Sequence, residues 1–130
     1  MTYLSKAQAS EIILEKLAKS GCSEDNSSGI LEGILDAEFS GIKSHGFHYL
    51  PIYCNHLKIG KINGNASPTF EQISNSSVKV DADNGFAHTA INIGLKHLCK
   101  MSSIEGISCL SIYNSYNCGV LGFHTRRIAE

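Results

Sequence analysis

The chain has 130 residues, 42% of them hydrophobic and 18% charged, with a formal net charge of −1. A domain of this size hides roughly two-thirds of its unfolded surface, so a core forms without metal or disulfide staples, and the composition excludes a disordered chain. The near-neutral charge gives no electrostatic reason to expect nucleic acid or an anionic membrane surface as partner.

Ser5 caps a predicted helix running to about Ser20, with Ala9, Ile13 and Leu17 along one face. Gly21 follows it, at the position where glycine stops helices. Ser23-Glu24-Asp25 opens a second helix to about Phe39, since a capping serine followed by acids suits the positive end of a helix dipole. A third is expected over His48 to Ile59, where Leu50, Tyr53, Cys54 and Leu57 repeat at helical spacing. Gly60 to Pro68 is rich in turn residues. Thr69–Ile73 and Val78–Val80 then read as a hairpin around Asn75-Ser76-Ser77. Asp83-Asn84-Gly85 turns into a helix of about Phe86 to Met101. Ile107–Ile112 is a compact apolar strand, and after a polar loop another helix starts near Val120.

These elements divide into a helical segment, 1–66, and the beginning of a mixed α/β (α+β) domain, 67–130. The last residues sit within a helix that lacks a stop signal, just as a strand–helix series has begun. The expectation is therefore the N-terminal portion of a longer protein. The cysteines Cys22, Cys54, Cys99, Cys109 and Cys118 are odd in number and form no CxxC, and the N-terminus lacks a secretory pattern, which points to reduced thiols in the cytoplasm. No apolar run approaches the ~20 residues of a membrane span.

Three constellations could carry chemistry. The densest is Lys43-Ser44-His45-Gly46-Phe47-His48, between the second and third helices. A histidine beside a hydroxyl can move protons or bind a carboxylate. The same residues could equally do no more than cap the third helix. A metal site from His45, His48, Cys54 and His56 is the second reading. Helix geometry disfavours it, because Cys54 and His56 fall on nearly opposite faces and His48 and His56 lie ~12 Å apart along the axis. The third is Asn114 to Gly119, where a strand ends and a helix begins. Such a junction offers free backbone N–H groups to an anion, and it also occurs as an ordinary βα turn. No GxGxxG is present, so nothing here indicates a Rossmann fold.

Ala37-Glu38-Phe39-Ser40-Gly41-Ile42-Lys43-Ser44-His45-Gly46, followed by His48-Tyr49-Leu50-Pro51 and Tyr53, resembles the A-D-x-R-G-x-x-S-H-G-x-x-R-L-x-x-Y signature of malate/L-lactate dehydrogenase-like oxidoreductases. Val80-Asp81-Ala82-Asp83-Asn84-Gly85-Phe86 is similar to that family's V-D-G-D-N-G-x-G. Tyr113 to Gly119, with Gly122, is similar to its R-N-S-N-H-F-G-x-x-G. The resemblance implies a non-Rossmann α/β fold that moves a hydride between NADH or NADPH and a small 2-oxo or 2-hydroxy acid. It also implies a homodimer whose site uses both subunits, and chains more than twice this length.

Carried over by position, Ser44 and His45 are the Ser-His pair beside substrate and nicotinamide. Tyr53 joins Ser44 on the substrate side, and Asn114, Ser115 and Gly119 join His45 on the cofactor side. The family's substrate-binding arginine falls on His48, which replaces a permanent bidentate clamp with a group that switches charge near neutral pH. Its catalytic histidine falls on Asn117 and the third motif's leading arginine on Tyr113. An amide can hydrogen-bond a carbonyl but delivers no proton, which leaves His45 and His48 as candidate acids. A catalytically degenerate homologue that binds ligand without hydride transfer is the alternative reading, followed by a small histidine-based metal module.

Overall fold

The computed structural model describes residues 3–130. Helix α1 spans Lys6–Lys19, α2 Glu24–Phe39 and α3 Leu50–Lys58; strands β1 and β2 cover Thr69–Ser74 and Ser77–Asp81; α4 is Ala87–Glu105, β3 Cys109–Tyr113 and α5 Leu121–Ala129.

The first helix starts at a capping box. Ser5 Oγ accepts from the Gln8 N–H at 3.2 Å, while Gln8 Oε1 accepts from the Ser5 N–H at 2.9 Å. Gly21 follows the helix at φ +89°, a conformation only glycine adopts without strain. Ser23 caps α2, and Asn26 beneath it donates to the Ala66 carbonyl at 2.9 Å, tying the helix start to a distant loop. Ile13, Leu17, Ile30, Ile34, Leu50, Tyr53, Leu57 and Ile62 close one core between the first three helices. Phe86, at the head of α4, enters the same core.

The sheet has three strands in the order β1-β2-β3. β1 and β2 are antiparallel with an irregularity between Gln72 and Ser74, whereas β2 and β3 are parallel with Asp81 opposite Tyr113. Helix α4 makes the crossover and lies on the sheet through a second core, in which Val80, Ala82 and Ala90 meet Phe70, Leu110 and Ile112. The central strand β2 alternates half-buried and buried residues, which is the pattern of a strand with one face under a helix. The architecture is mixed α/β, with the helical layer beside a partly parallel sheet.

Three boundaries differ from those expected. Before α3 the chain makes two 3-10 turns, Lys43–His45 and Phe47–Tyr49, so the regular helix begins only at Leu50, with Pro51 in its first turn. No side chain caps α3, so Ser44 and His45 do not play that role. Helix α4 continues past Met101 to Glu105, because its stop is Gly106 at φ +79°. Strand β3 consequently begins at Cys109, and Ile107 is exposed.

The 60–66 loop packs onto the α1–α2 turn by backbone contact. Ser23 N–H donates to the Gly64 carbonyl at 2.8 Å, and a Cβ on Gly64 would collide with the Gly21 carbonyl oxygen. Backbone atoms cannot rotate aside as a side chain can. Gly64→Ala is therefore expected to destabilise the protein by about 1–3 kcal/mol, read as a lower urea midpoint at unchanged m-value.

Candidate active site

The Ser-His segment is held by the end of α2. Gly41, at φ +73°, reverses the chain, and Glu38 Oε2 then accepts from the Phe47 N–H at 3.0 Å. Gly46 is buried directly against Glu38 and leaves no room there for a Cβ, so the 3-10 turns fold back onto the helix. Ser44 Oγ then lies 3.0 Å from His45 Nδ1. When Ser44 donates this bond, the ring proton sits on Nε2, the tautomer able to donate to a substrate oxygen.

An aromatic ladder runs inward from His45. Its ring stacks on Tyr49 with centroids 6.0 Å apart and planes at 10°. Tyr49 meets Tyr53 edge-on at 4.8 Å, and Tyr53 meets Phe86 and Tyr116 at 5.4 and 6.1 Å. The buried Tyr53 donates its hydroxyl to Asn117 Oδ1 at 3.3 Å. Burial, then the neighbouring Tyr49 and Tyr116, pushes the Tyr53 phenol well above its usual range. Thus the structure brings His45, Tyr53 and Asn117 into one cluster, although Tyr53 and Asn117 are 64 residues apart. His48 is exposed on the neighbouring 3-10 turn.

The second wall is the 114–120 loop. Asn114 occupies φ +49° and donates its amide to the Asp81 carboxylate at 3.1 and 3.2 Å, while its carbonyl accepts from the Asn84 N–H at 2.7 Å. The Asp83 N–H, followed by Asn114, holds the Asp81 carboxyl below its usual range. Tyr116 N–H donates to the Gly85 carbonyl at 2.8 Å. The second sequence motif therefore serves as the bed for the third. Ser115 stays exposed at the loop's crest, and Gly119, at φ +66°, passes over the His88 ring.

Several supports of the cluster are not marked as such by the sequence, in which His56 stands only as a candidate metal ligand. His56 Nδ1 lies 2.6 Å from the Tyr116 hydroxyl. Tyr49, Tyr53 and His56 stand at i, i+4 and i+7 on α3 and its approach, a spacing from which one shared face could have been inferred. Below the loop, His124 Nε2 lies 2.7 Å from the Cys118 carbonyl, which can only accept, so Nε2 carries the proton. His88 is buried beside it at a ring distance of 5.1 Å, and both Nδ1 atoms lack a partner among the described residues. The potential metal ligands are engaged elsewhere: Cys54 Sγ donates to the Lys16 carbonyl at 3.6 Å and His56 faces Tyr116. Among the described residues no three His, Cys, Asp or Glu side chains converge, and no helix is long and apolar enough to cross a membrane.

Residues 4–130 match the sequence model of the malate/L-lactate dehydrogenase family. The chain belongs to this family. It is 30% identical over 126 residues to a Δ1-pyrroline-2-carboxylate reductase of Burkholderia ambifaria, covering 97% of this chain and 37% of that protein. It is 32% identical over 97 residues to the (2R)-3-sulfolactate dehydrogenase (NADP+) of Chromohalobacter salexigens, covering 75% of this chain and 29% of that one. Among solved structures, the Δ1-piperideine-2-carboxylate reductase of Pseudomonas syringae superposes with a TM-score of 0.91 at 27% identity, over 95% of this chain and 37% of that one. The malate dehydrogenase of Entamoeba histolytica gives 0.85 at 25% identity, over 95% and 34%. The chain thus spans about a third of the relatives' length. Of the three positions singled out in the sequence, Asn117 bonds Tyr53 within the cluster, whereas His48 is exposed on its turn and Tyr113 lies on β3 under the Lys79 ammonium.

Proposed function

We propose that this chain forms the substrate-facing part of the site of an NAD(P)-dependent oxidoreductase that interconverts a small 2-oxo acid and its 2-hydroxy acid. The observation that supports it most is the Ser44–His45 pair, which stands at the family's positions and is braced against Tyr49, Tyr53 and Asn117. His45 donates from Nε2 to the substrate's reacting oxygen. Ser44 and Tyr53 line the substrate side, and His48 meets the carboxylate when protonated. A histidine there makes a weaker and more pH-dependent clamp than arginine.

The exposed Ser115 and the open side of the His45 ring suit a polar cofactor edge, while Asn114 and Gly119 set the shape of the loop that presents them. A bound nicotinamide would supply the hydride. The rest of the reading is a cytoplasmic homodimer, an inference from the cysteine pattern and the family resemblance.

Two second readings have specific support. Asn117 at the acid position favours a homologue that binds ligand without turning it over. The reductases of cyclic imino acids among the relatives favour reduction of a ring C=N in place of C=O. One assay separates the three: the full-length protein is mixed with NADH or NADPH and with pyruvate, oxaloacetate or Δ1-pyrroline-2-carboxylate, and loss of reduced-nicotinamide absorbance is followed. Turnover of an oxo acid, lost in His45→Ala, is the expected result. Turnover of the imine alone moves the substrate class, and cofactor binding without any turnover supports the degenerate homologue.

A further inference from the structure

We propose that Tyr116, coupled to His56, is the proton donor that replaces the histidine missing at position 117, an inference that rests on the oxidoreductase reading above. The family pattern places an asparagine before its histidine, and this chain reads Tyr116-Asn117 there instead. The loss of an acid at position 117 is therefore accompanied by the gain of a phenol at the residue before it.

The geometry supports an exchange of roles. Asn117 spends its side-chain oxygen on the Tyr53 hydroxyl and on the Gly119 N–H, both at 3.3 Å, which fixes the loop and leaves it no acid function. Tyr53 is buried with its proton committed to that bond. Tyr116 is half-buried, and its hydroxyl sits 2.6 Å from His56 Nδ1. The His56 and Tyr116 rings meet edge-on at 5.6 Å, and the Lys61 ammonium lies 6.0 Å from the Tyr116 ring centre. Its phenol also feels Tyr49, the same ring that stacks on His45. Burial, then Tyr49, raises the Tyr116 phenol to about 12, so it carries its proton at neutral pH.

The step balances as follows. As the carbonyl carbon of a 2-oxo acid receives a hydride from the reduced nicotinamide, its oxygen takes the proton from Tyr116 Oη and the C=O becomes CH–OH. The phenolate left behind is reprotonated through His56, which passes on its Nδ1 proton across the 2.6 Å contact while Nε2 takes one from water. In this division His45 polarises the oxygen and Tyr116 delivers the proton.

Tyr116→Phe keeps the ring contacts and removes only the acid. In the full-length protein assayed with pyruvate and oxaloacetate, it is expected to lower kcat by about 10²-fold or more while KM and the thermal midpoint stay near wild type. Adding Asn117→His to that variant restores turnover, which a purely structural role for Tyr116 would not allow. In the cofactor-free protein the His56 Nδ1 resonance moves on Tyr116→Phe. Wild-type kcat in Tyr116→Phe, or an unmoved His56 resonance, overturns the proposal while the oxidoreductase reading stands. A wild-type protein that turns over neither acid fails the parent reading and this one with it.

Discussion

Lowering the pH from 6.5 toward 4 is expected to destabilise this protein steeply, by roughly 1 kcal/mol per pH unit from His88 alone. The ring is buried between α2, α4 and the site loop, with Gly33 and Gly119 against it. His124, Phe123 and Arg127 of α5 face it, and Arg127 is itself bonded to Asn92 at 2.7 Å. Burial, then the charges of His124 and Arg127, drives the His88 imidazole from the usual 6.5 down to about 3. The folded state therefore keeps His88 neutral while the unfolded chain takes up a proton. Its contribution is intact above pH 6.5 and is lost progressively as the pH falls toward about 3. His124, also lowered by burial, acts in the same direction. Thermal unfolding of wild type and His88→Gln between pH 7 and 4 checks this, and the variant's slope should be visibly flatter.

Tyr53→Ala is expected to cost about 3–5 kcal/mol, a large share of the stability of a domain this size. Tyr53 joins three rings, Tyr49, Phe86 and Tyr116, within the helical core, and the cavity left by its side chain is walled by helices α2, α3 and α4 that cannot easily close over it. Tyr53→Phe isolates the hydroxyl and should cost only about 0.5–1.5 kcal/mol, because Asn117 Oδ1 still accepts from the Gly119 N–H. Equilibrium denaturation of both variants separates the ring's contribution from that of the bond to the site loop. Equal effects would mean that the ring is not the keystone the packing indicates.

Much of this fold is legible in local chemistry. The Ser5-x-x-Gln8 box, the Ser23 cap and the apolar spacing of Ile13, Leu17, Ile30 and Ile34 mark α1 and α2 almost to the residue. The alternation at Val78 and Val80 marks the central strand. Legibility fails where a boundary depends on one residue's backbone. Gly106 halts α4 only by taking a left-handed conformation, and the polar Ser102 and Ser103 before it read as a loop although the helix passes through them. The 3-10 turns at Lys43–His45 and Phe47–Tyr49 are likewise set by Glu38 reaching across nine residues to Phe47, not by their own propensity.

The site divides in the same way. Ser44, His45, Tyr53 and Asn117 could be named as candidates because ordered motifs give their positions, and the fold packs His45, Tyr53 and Asn117 into one cluster. Their supports could not. His56 reaches Tyr116 over 60 residues, and His88 meets His124 only because α5 folds back onto α2 and α4, with Arg126 pairing to Asp36. Each partner lies on a different element, so no window along the chain contains the interaction.

The most direct test of the account is a crystal structure of the full-length protein with reduced nicotinamide and oxamate, an unreactive mimic of a 2-oxo acid. The account predicts the mimic's carbonyl oxygen within hydrogen-bond reach of His45 Nε2, its carboxylate toward His48 and Ser44, and Tyr116 Oη on the same oxygen. A nicotinamide and mimic bound away from the 43–49 and 114–120 segments would contradict it.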